Sequence, residues 1–163
     1  MSKISVLMSV YKKENPEYLR ASLESILVQT RTADEILLIE DGPLTQELYQ
    51  VVAEYQKKCD YLHVHAMEQN VQLGRALAKG VELCQYDLIA RMDTDDIAMP
   101  DRLEKEEAYM EAHPEVDVVG GAIREFNDEG TIDRVKNMPK TQEEILEYVK
   151  VRNPLNHMTV MYL

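Results

Sequence analysis

The sequence lacks what several large functional classes require. It holds two cysteines, Cys59 and Cys84, and no C-x-x-C pair. A zinc or dithiol spacing is therefore absent, and two free thiols are expected. The first apolar run, Ile4–Val10, gives way at once to Tyr11-Lys12-Lys13-Glu14. That run is too short for the apolar core of a signal peptide. No stretch approaches the roughly 20 apolar residues that span a bilayer. Basic residues are scarce: 18 Lys and Arg stand against 30 Asp and Glu, a formal charge of −12. A duplex reader needs a basic footprint, so no nucleic-acid partner is expected. The same charge argues against a broadly polybasic membrane face. There is no G-x-x-x-x-G-K-[ST], no G-x-G-x-x-G after the first apolar run and no G-x-S-x-G. A P-loop is excluded, and neither a Rossmann dinucleotide site nor a nucleophile elbow is expected.

What is present suits one globular domain. The chain has 163 residues, of which 45% are apolar. Ile4–Val10 reads as a buried strand. Asn15 and Pro16 then open a helix whose apolar face is Leu19, Leu23, Ile26 and Leu27. Ile36–Ile39 is a second strand that ends in the turn Glu40-Asp41-Gly42-Pro43. Leu44, Leu48, Val51, Val52 and Tyr55 trace a second helix, and Tyr61–Met67 a third strand. Leu73, Leu77 and Val81 mark a third helix closing near Gly80 or a little beyond. Tyr86–Met92 reads as a fourth strand running into Asp93-Thr94-Asp95-Asp96, and Pro100 opens a charged helix to about Ala112. Val116–Val119 begins a fifth strand that resumes after Gly120-Gly121 to Phe126, and the stretch 127–139 has turn chemistry, including Asp128-Glu129-Gly130. Thr141 and Glu144 form a capping box for a short helix to about Val151, and Thr159–Leu163 reads as a last strand. This alternation predicts an α/β fold with a mostly parallel sheet covered on both faces. Its ligands are expected at the carboxyl ends of the strands.

Three strand ends carry chemistry. Asp93-Thr94-Asp95 is a D-x-D, whose carboxylates would face the same way on a strand. A hard divalent cation suits such a pair, completed by substrate phosphates. A solvated loop, with Asp95 or Asp96 near the start of the next helix, accounts for the same residues. Asp41 could accept from a base N–H or a ribose hydroxyl, or simply begin the Gly42-Pro43 turn. Arg75, beside a helix start, could meet phosphate or lie solvated. His63 and His65 sit two apart with no carboxylate nearby in sequence, as on a half-exposed strand face.

Six collinear segments together are more specific. They are ISVLMSVYKKENPEYLRASLESILVQT (4–30), EILLIEDGP (35–43), QNVQLGRALAKGV (69–81), YDLIARMDTDDIAMPDRLEKE (86–106), HPEVDVVGG (113–121) and NPLNHMTVMY (153–162). On these the chain resembles the inverting family 2 glycosyltransferases, whose catalytic domain is GT-A, a Rossmann-like three-layer α/β/α sandwich. The resemblance implies that Ser9 and Tyr11 line the nucleotide base pocket and that Asp41 contacts the base. Arg75 lies in the segment that runs past the nucleotide. Asp93 and Asp95 match the D-x-D that holds the ribose and, through Mg2+ or Mn2+, the diphosphate. The implied reaction is a single displacement from a nucleotide-sugar donor, a UDP-sugar, to a hydroxyl of a saccharide or lipid-linked saccharide. The DGP turn resembles enzymes of surface polysaccharide or lipopolysaccharide synthesis. The implied location is cytoplasmic, at the inner face of the membrane for a lipid-linked acceptor.

The chain departs from the family pattern in two places. The family's catalytic base is an Asp in an acidic motif well after the NHMTVM strand, so it is expected beyond Leu163. Residues 1–163 are then the donor-binding part of a longer transferase, with the acceptor side missing and the strand Thr159–Leu163 left as an uncovered edge. Asn156 and His157 fall on the acceptor side, and His157 is not expected to be the base. Gln72 stands where many relatives have Gly, which leaves the local backbone path open. A nucleotide-sugar-binding module without turnover is the alternative. A haloacid-dehalogenase-type phosphatase using Asp93 and Asp95 fits less well. That motif follows a first strand, and Ile97 stands where Thr or Val would be expected.

Overall fold

A computed structural model describes residues 2–127 and 132–163 of the chain. The elements run β1 (Ile4–Val10), α1 (Pro16–Leu27), β2 (Glu35–Glu40), α2 (Gln46–Lys58), β3 (Leu62–Ala66), α3 (Leu73–Leu83), β4 (Leu88–Arg91) and α4 (Arg102–Ala112). They continue β5 (Val118–Val119), β6 (Ile123–Phe126), β7 (Asp133–Lys136), α5 (Gln142–Tyr148), a 3-10 turn (His157–Thr159) and β8 (Met161–Tyr162). The six-stranded sheet has the order β3-β2-β1-β4-β8-β5. Strands β1 to β4 are mutually parallel, and β8 is antiparallel to both β4 and β5. Strand order reverses between β1 and β4, which opens a crevice at their carboxyl ends.

Two apolar layers hold the sheet. One face packs Val6, Met8, Leu38 and Ala90 against α1, α2 and α4 through Leu19, Leu23, Leu48, Val52 and Leu103. The other packs Leu7, Leu37, Ile39 and Ile89 against Ala76 of α3. The result is the expected three-layer α/β/α arrangement. Local chemistry starts the helices where the sequence indicates. Asn15 accepts from the Glu17 N–H with Pro16 beginning α1, Thr45 accepts from the Leu48 N–H at α2, and the Thr141–Glu144 capping box forms at α5. Among the described residues no helix is long and apolar enough to cross a membrane. Both cysteines are free thiols.

Several boundaries differ from expectation. Helix α3 is not among them, closing at Leu83, a little beyond Gly80. A Cβ at Gly80 would come within 2.3 Å of Leu7 Cδ1, so this glycine serves close helix–sheet packing and not a helix stop. Helix α4 starts at Arg102, two residues after Pro100, and α5 ends at Tyr148, short of Val151. The fourth strand contracts to Leu88–Arg91. Within the expected turn region, Asp133–Lys136 forms β7 and pairs antiparallel with β6. The pairing is laced by ion pairs Arg124–Asp133 and Arg134–Glu125. Residues 128–131, part of that expected turn, lie outside the described residues. The last strand is Met161–Tyr162, and it is no edge: β4 flanks it on one side and β5 on the other.

Gln72 carries the sharpest backbone constraint. It has φ 73° and ψ 152° at the N-cap of α3, a region open almost only to glycine, and its side chain makes no cap bond. Gln72→Gly is expected to raise stability by about 1 kcal/mol, the relieved strain exceeding glycine's entropy cost. Urea unfolding measures this, and a destabilised variant would show that the conformation costs little.

Candidate functional site

The strand ends bring the candidate residues to one rim of the sheet. Ser9 is half-buried in β1, and Tyr11 follows the strand, 44% exposed. Thr94 reaches back to the end of β1 and the turn after it: its Oγ1 lies 3.4 Å from the Ser9 carbonyl and donates to Glu14 Oε2 at 2.7 Å. Asp41 follows β2 and is 4% exposed. Its Oδ2 accepts from Asn70 Nδ2 at 2.9 Å and its Oδ1 from the Val71 N–H at 2.6 Å. The carboxylate thus pins the segment that leads into α3, and each oxygen keeps a free lone pair. Arg75 sits exposed in the first turn of α3. β2 and β4 flank β1, so their ends lie about 10 Å apart, two strand spacings.

Asp93, Thr94 and Asp95 do not lie on a strand. β4 stops at Arg91, and the tripeptide enters a turn. Nor do Asp95 and Asp96 cap a helix, since α4 begins at Arg102. The turn still gathers the acids: ligand oxygens of Asp93, Asp95 and Asp96 lie within 4.8 Å of one another. Asp96 was legible in sequence only as the next acid of the run. Its carboxyl is pushed up to about 6 by burial first, then by Asp93 and Asp95, with His157 and Arg91 opposing. Arg91 Nη2 lies 2.6 Å from Asp93 Oδ1, and His157 Nε2 lies 3.5 Å from Asp93 Oδ2. Glu14, Asn70 and Arg91 are therefore site residues that sequence reasoning did not select, while His157, expected on the acceptor side, reaches the acidic turn. Only Arg91, a charge inside an apolar strand, carried a local signal. The broad groove lined by Met138, Lys140, Tyr148 and Val151 contains none of these groups.

Crowding of like charges has a stability consequence. The unfolded chain ionises Asp96 near its ordinary value, whereas the native chain holds its proton up to about pH 6. Between those values the native state binds more protons, so stability falls as pH rises and the full penalty stands above pH 6. Asp96→Asn is expected to stabilise the metal-free chain by about 2 kcal/mol at pH 8, discounted for partial solvent access, and by nearly nothing at pH 4. Urea titrations in chelator at both pH values test this; an equal difference at both would refute it.

Comparison with known proteins places the chain. The family model described as glycosyl transferase family 2 matches residues 5–162. The amylovoran biosynthesis glycosyltransferase AmsE of Erwinia amylovora is 44% identical over 158 residues, 97% of this chain and 59% of that protein. The UDP-Gal:alpha-D-GlcNAc-diphosphoundecaprenol beta-1,3-galactosyltransferase of Escherichia coli is 35% identical over 166 residues, 98% of this chain and 58% of that protein. The chain thus spans about three-fifths of the length of these relatives. Among solved structures, S. aureus TarS 1-349 with UDP-GlcNAc superposes with a TM-score of 0.69 at 22% identity, covering 85% of this chain and 37% of TarS. The mannosyltransferase PcManGT of Pyrobaculum calidifontis, with GDP-Man and Mn2+, gives a TM-score of 0.67 at 16% identity, covering 76% of this chain and 36% of that chain. These likenesses establish the GT-A fold. A family match over almost the whole chain, on a sheet whose acidic turn stands at the crevice, means that the chain belongs to glycosyl transferase family 2.

Proposed function

We propose that this chain is the donor-binding part of a glycosyltransferase acting in polysaccharide or lipopolysaccharide synthesis. The enzyme transfers a sugar, with inversion, from a UDP-sugar to a hydroxyl of a saccharide or lipid-linked saccharide. The observation that carries the reading is the carboxylate cluster Asp93, Asp95 and Asp96 at the carboxyl end of β4. The relatives' names support it, one naming a polysaccharide and one a UDP-sugar with a diphosphoundecaprenol-linked acceptor. A lipid-linked acceptor places the work at the cytoplasmic face of the membrane.

The donor set fits a hard divalent cation, Mg2+ or Mn2+, held by Asp95 and Asp93 with Asp96 adjacent. When bound, such an ion supplies positive charge against the leaving diphosphate. Asp41, fixed by Asn70 and Val71, accepts from the base or ribose. Ser9 and Tyr11 border the base, and Arg75 stands beside the phosphate path. The acceptor hydroxyl attacks the anomeric carbon as a general base, expected outside residues 1–163, takes its proton.

UDP with Mn2+ is expected to stabilise the chain by about 2.7 kcal/mol at 100 times its Kd. Melting curves with UDP, GDP and ADP, with and without Mn2+, test this. No shift with any of them would sink the donor site, and a shift with GDP alone would replace the UDP assignment. Little transfer is expected from residues 1–163 alone, and rapid transfer to a defined acceptor would place the base within them.

A further inference from the structure

β4 places a permanent cation beneath the acidic turn. Arg91 is its last residue and is 4% exposed. Its backbone is fixed, the N–H donating to the Val160 carbonyl and the carbonyl accepting from Arg102 Nη2, both at 2.8 Å. A guanidinium cannot shed its charge, and a buried one is costly without partners. Yet Nε, Nη1 and Nη2 are all buried with no hydrogen-bond partner among the described residues. The 2.6 Å approach of Nη2 to Asp93 Oδ1 is therefore an ion pair without hydrogen-bond geometry. Asp93 Oδ2 faces the half-exposed His157 at 3.5 Å. By contrast, no ion pair or hydrogen bond engages the exposed Asp95 among the described residues.

We infer that Arg91 is a positioning residue that serves as the cluster's resident counter-cation. By occupying Asp93 it keeps affinity for a bare divalent ion low and makes tight metal binding depend on the donor's diphosphate. This rests on the metal and donor reading above. Three carboxylates within 4.8 Å would by themselves attract a free cation strongly. Arg91 cancels one of those charges and holds one carboxylate. An arriving ion then finds Asp95 beside an Asp93 that is already neutralised, with Asp96 adjacent, and takes further oxygens from a diphosphate. Arg91 is too buried to meet the diphosphate itself, so it acts through Asp93.

Mn2+ binding to the 163-residue chain, followed by the electron paramagnetic resonance signal of free Mn2+ with and without UDP, tests the inference. In the wild type, bare Mn2+ should bind weakly and UDP should tighten it strongly. Arg91→Met should bind bare Mn2+ at least about tenfold more tightly and gain less from UDP. Arg91→Lys, which keeps the charge, should stay near the wild type. Asp93→Asn leaves the Arg91 charge uncompensated beside the cluster and should weaken bare Mn2+ binding about tenfold or more. Arg91→Gln removes the same charge and repeats the test where Arg91→Met does not fold. The inference is overturned by a folded Arg91→Met or Arg91→Gln with unchanged bare Mn2+ affinity, or by an Asp93→Asn that binds bare Mn2+ within about twofold of the wild type. A wild type that binds no Mn2+ even with UDP overturns it differently, through the metal site itself.

Discussion

Asp95→Ala is expected to abolish the stabilisation of the chain by UDP and Mn2+ while leaving the apo fold intact. Asp95 is exposed, lies in a turn and is engaged by no ion pair or hydrogen bond among the described residues. Removing such a side chain changes stability by about 0.5 kcal/mol or less. Its loss even relieves repulsion on Asp96, whose carboxyl the neighbouring acids push up. Binding suffers in full, because Asp95 is the cluster's unengaged ligand. At a UDP concentration 100 times the wild-type Kd, a hundredfold weakening leaves only about 0.4 kcal/mol of the original 2.7 kcal/mol. Melting curves with and without UDP and Mn2+ read both effects on one sample. A variant that keeps its shift would remove Asp95 from the metal site, and one that melts early without ligand would make Asp95 structural.

The parallel core was legible because its signals are local. Ile4–Val10 is a continuous apolar run, and the structure bounds β1 at the same two residues. Asn15 and Pro16 fix the start of α1 through a cap bond and a preset φ, both readable in two letters. What depends on distant partners was not legible. β8 is two residues long, and its interior place comes from pairing with β4 and β5, which its own sequence does not encode. β7 reads Asp-Arg-Val-Lys, with no apolar alternation, and finds its partner through cross-strand charges. The site divides in the same way. The D-x-D announced itself by residue type, but the turn that gathers Asp96 and the Arg91 contact beneath Asp93 belong to the tertiary structure. Asn70 meets Asp41 across 29 residues of chain, a pairing that no local pattern signals.

That long-range pairing hangs on one glycine. Gly42 has φ +83°, and a Cβ there would lie 2.5 Å from the Asn70 nitrogen and 2.9 Å from the Gln69 carbonyl carbon. Both obstacles are backbone, so no side chain can swing aside. Gly42→Ala therefore incurs the left-handed penalty of about 1–2 kcal/mol and must also push residues 69 and 70 away. That displacement breaks what Asp41 holds: Asn70 Nδ2 to its Oδ2, and the Val71 N–H to its Oδ1. The expected loss is about 3 kcal/mol, roughly 10 °C in Tm for a chain of this size. UDP affinity should fall with it, by about tenfold, because the carboxylate assigned to the base or ribose loses its orientation. Gly74→Ala is the matched control. A Cβ there meets nothing within 4 Å, inside the first turn of α3, so the change should be neutral or stabilising by about 0.5–1 kcal/mol. If the two variants melt together, the Gly42 turn is not what seats Asp41. If Gly42→Ala melts early yet binds UDP as the wild type does, Asp41 holds the α3 approach without touching the donor.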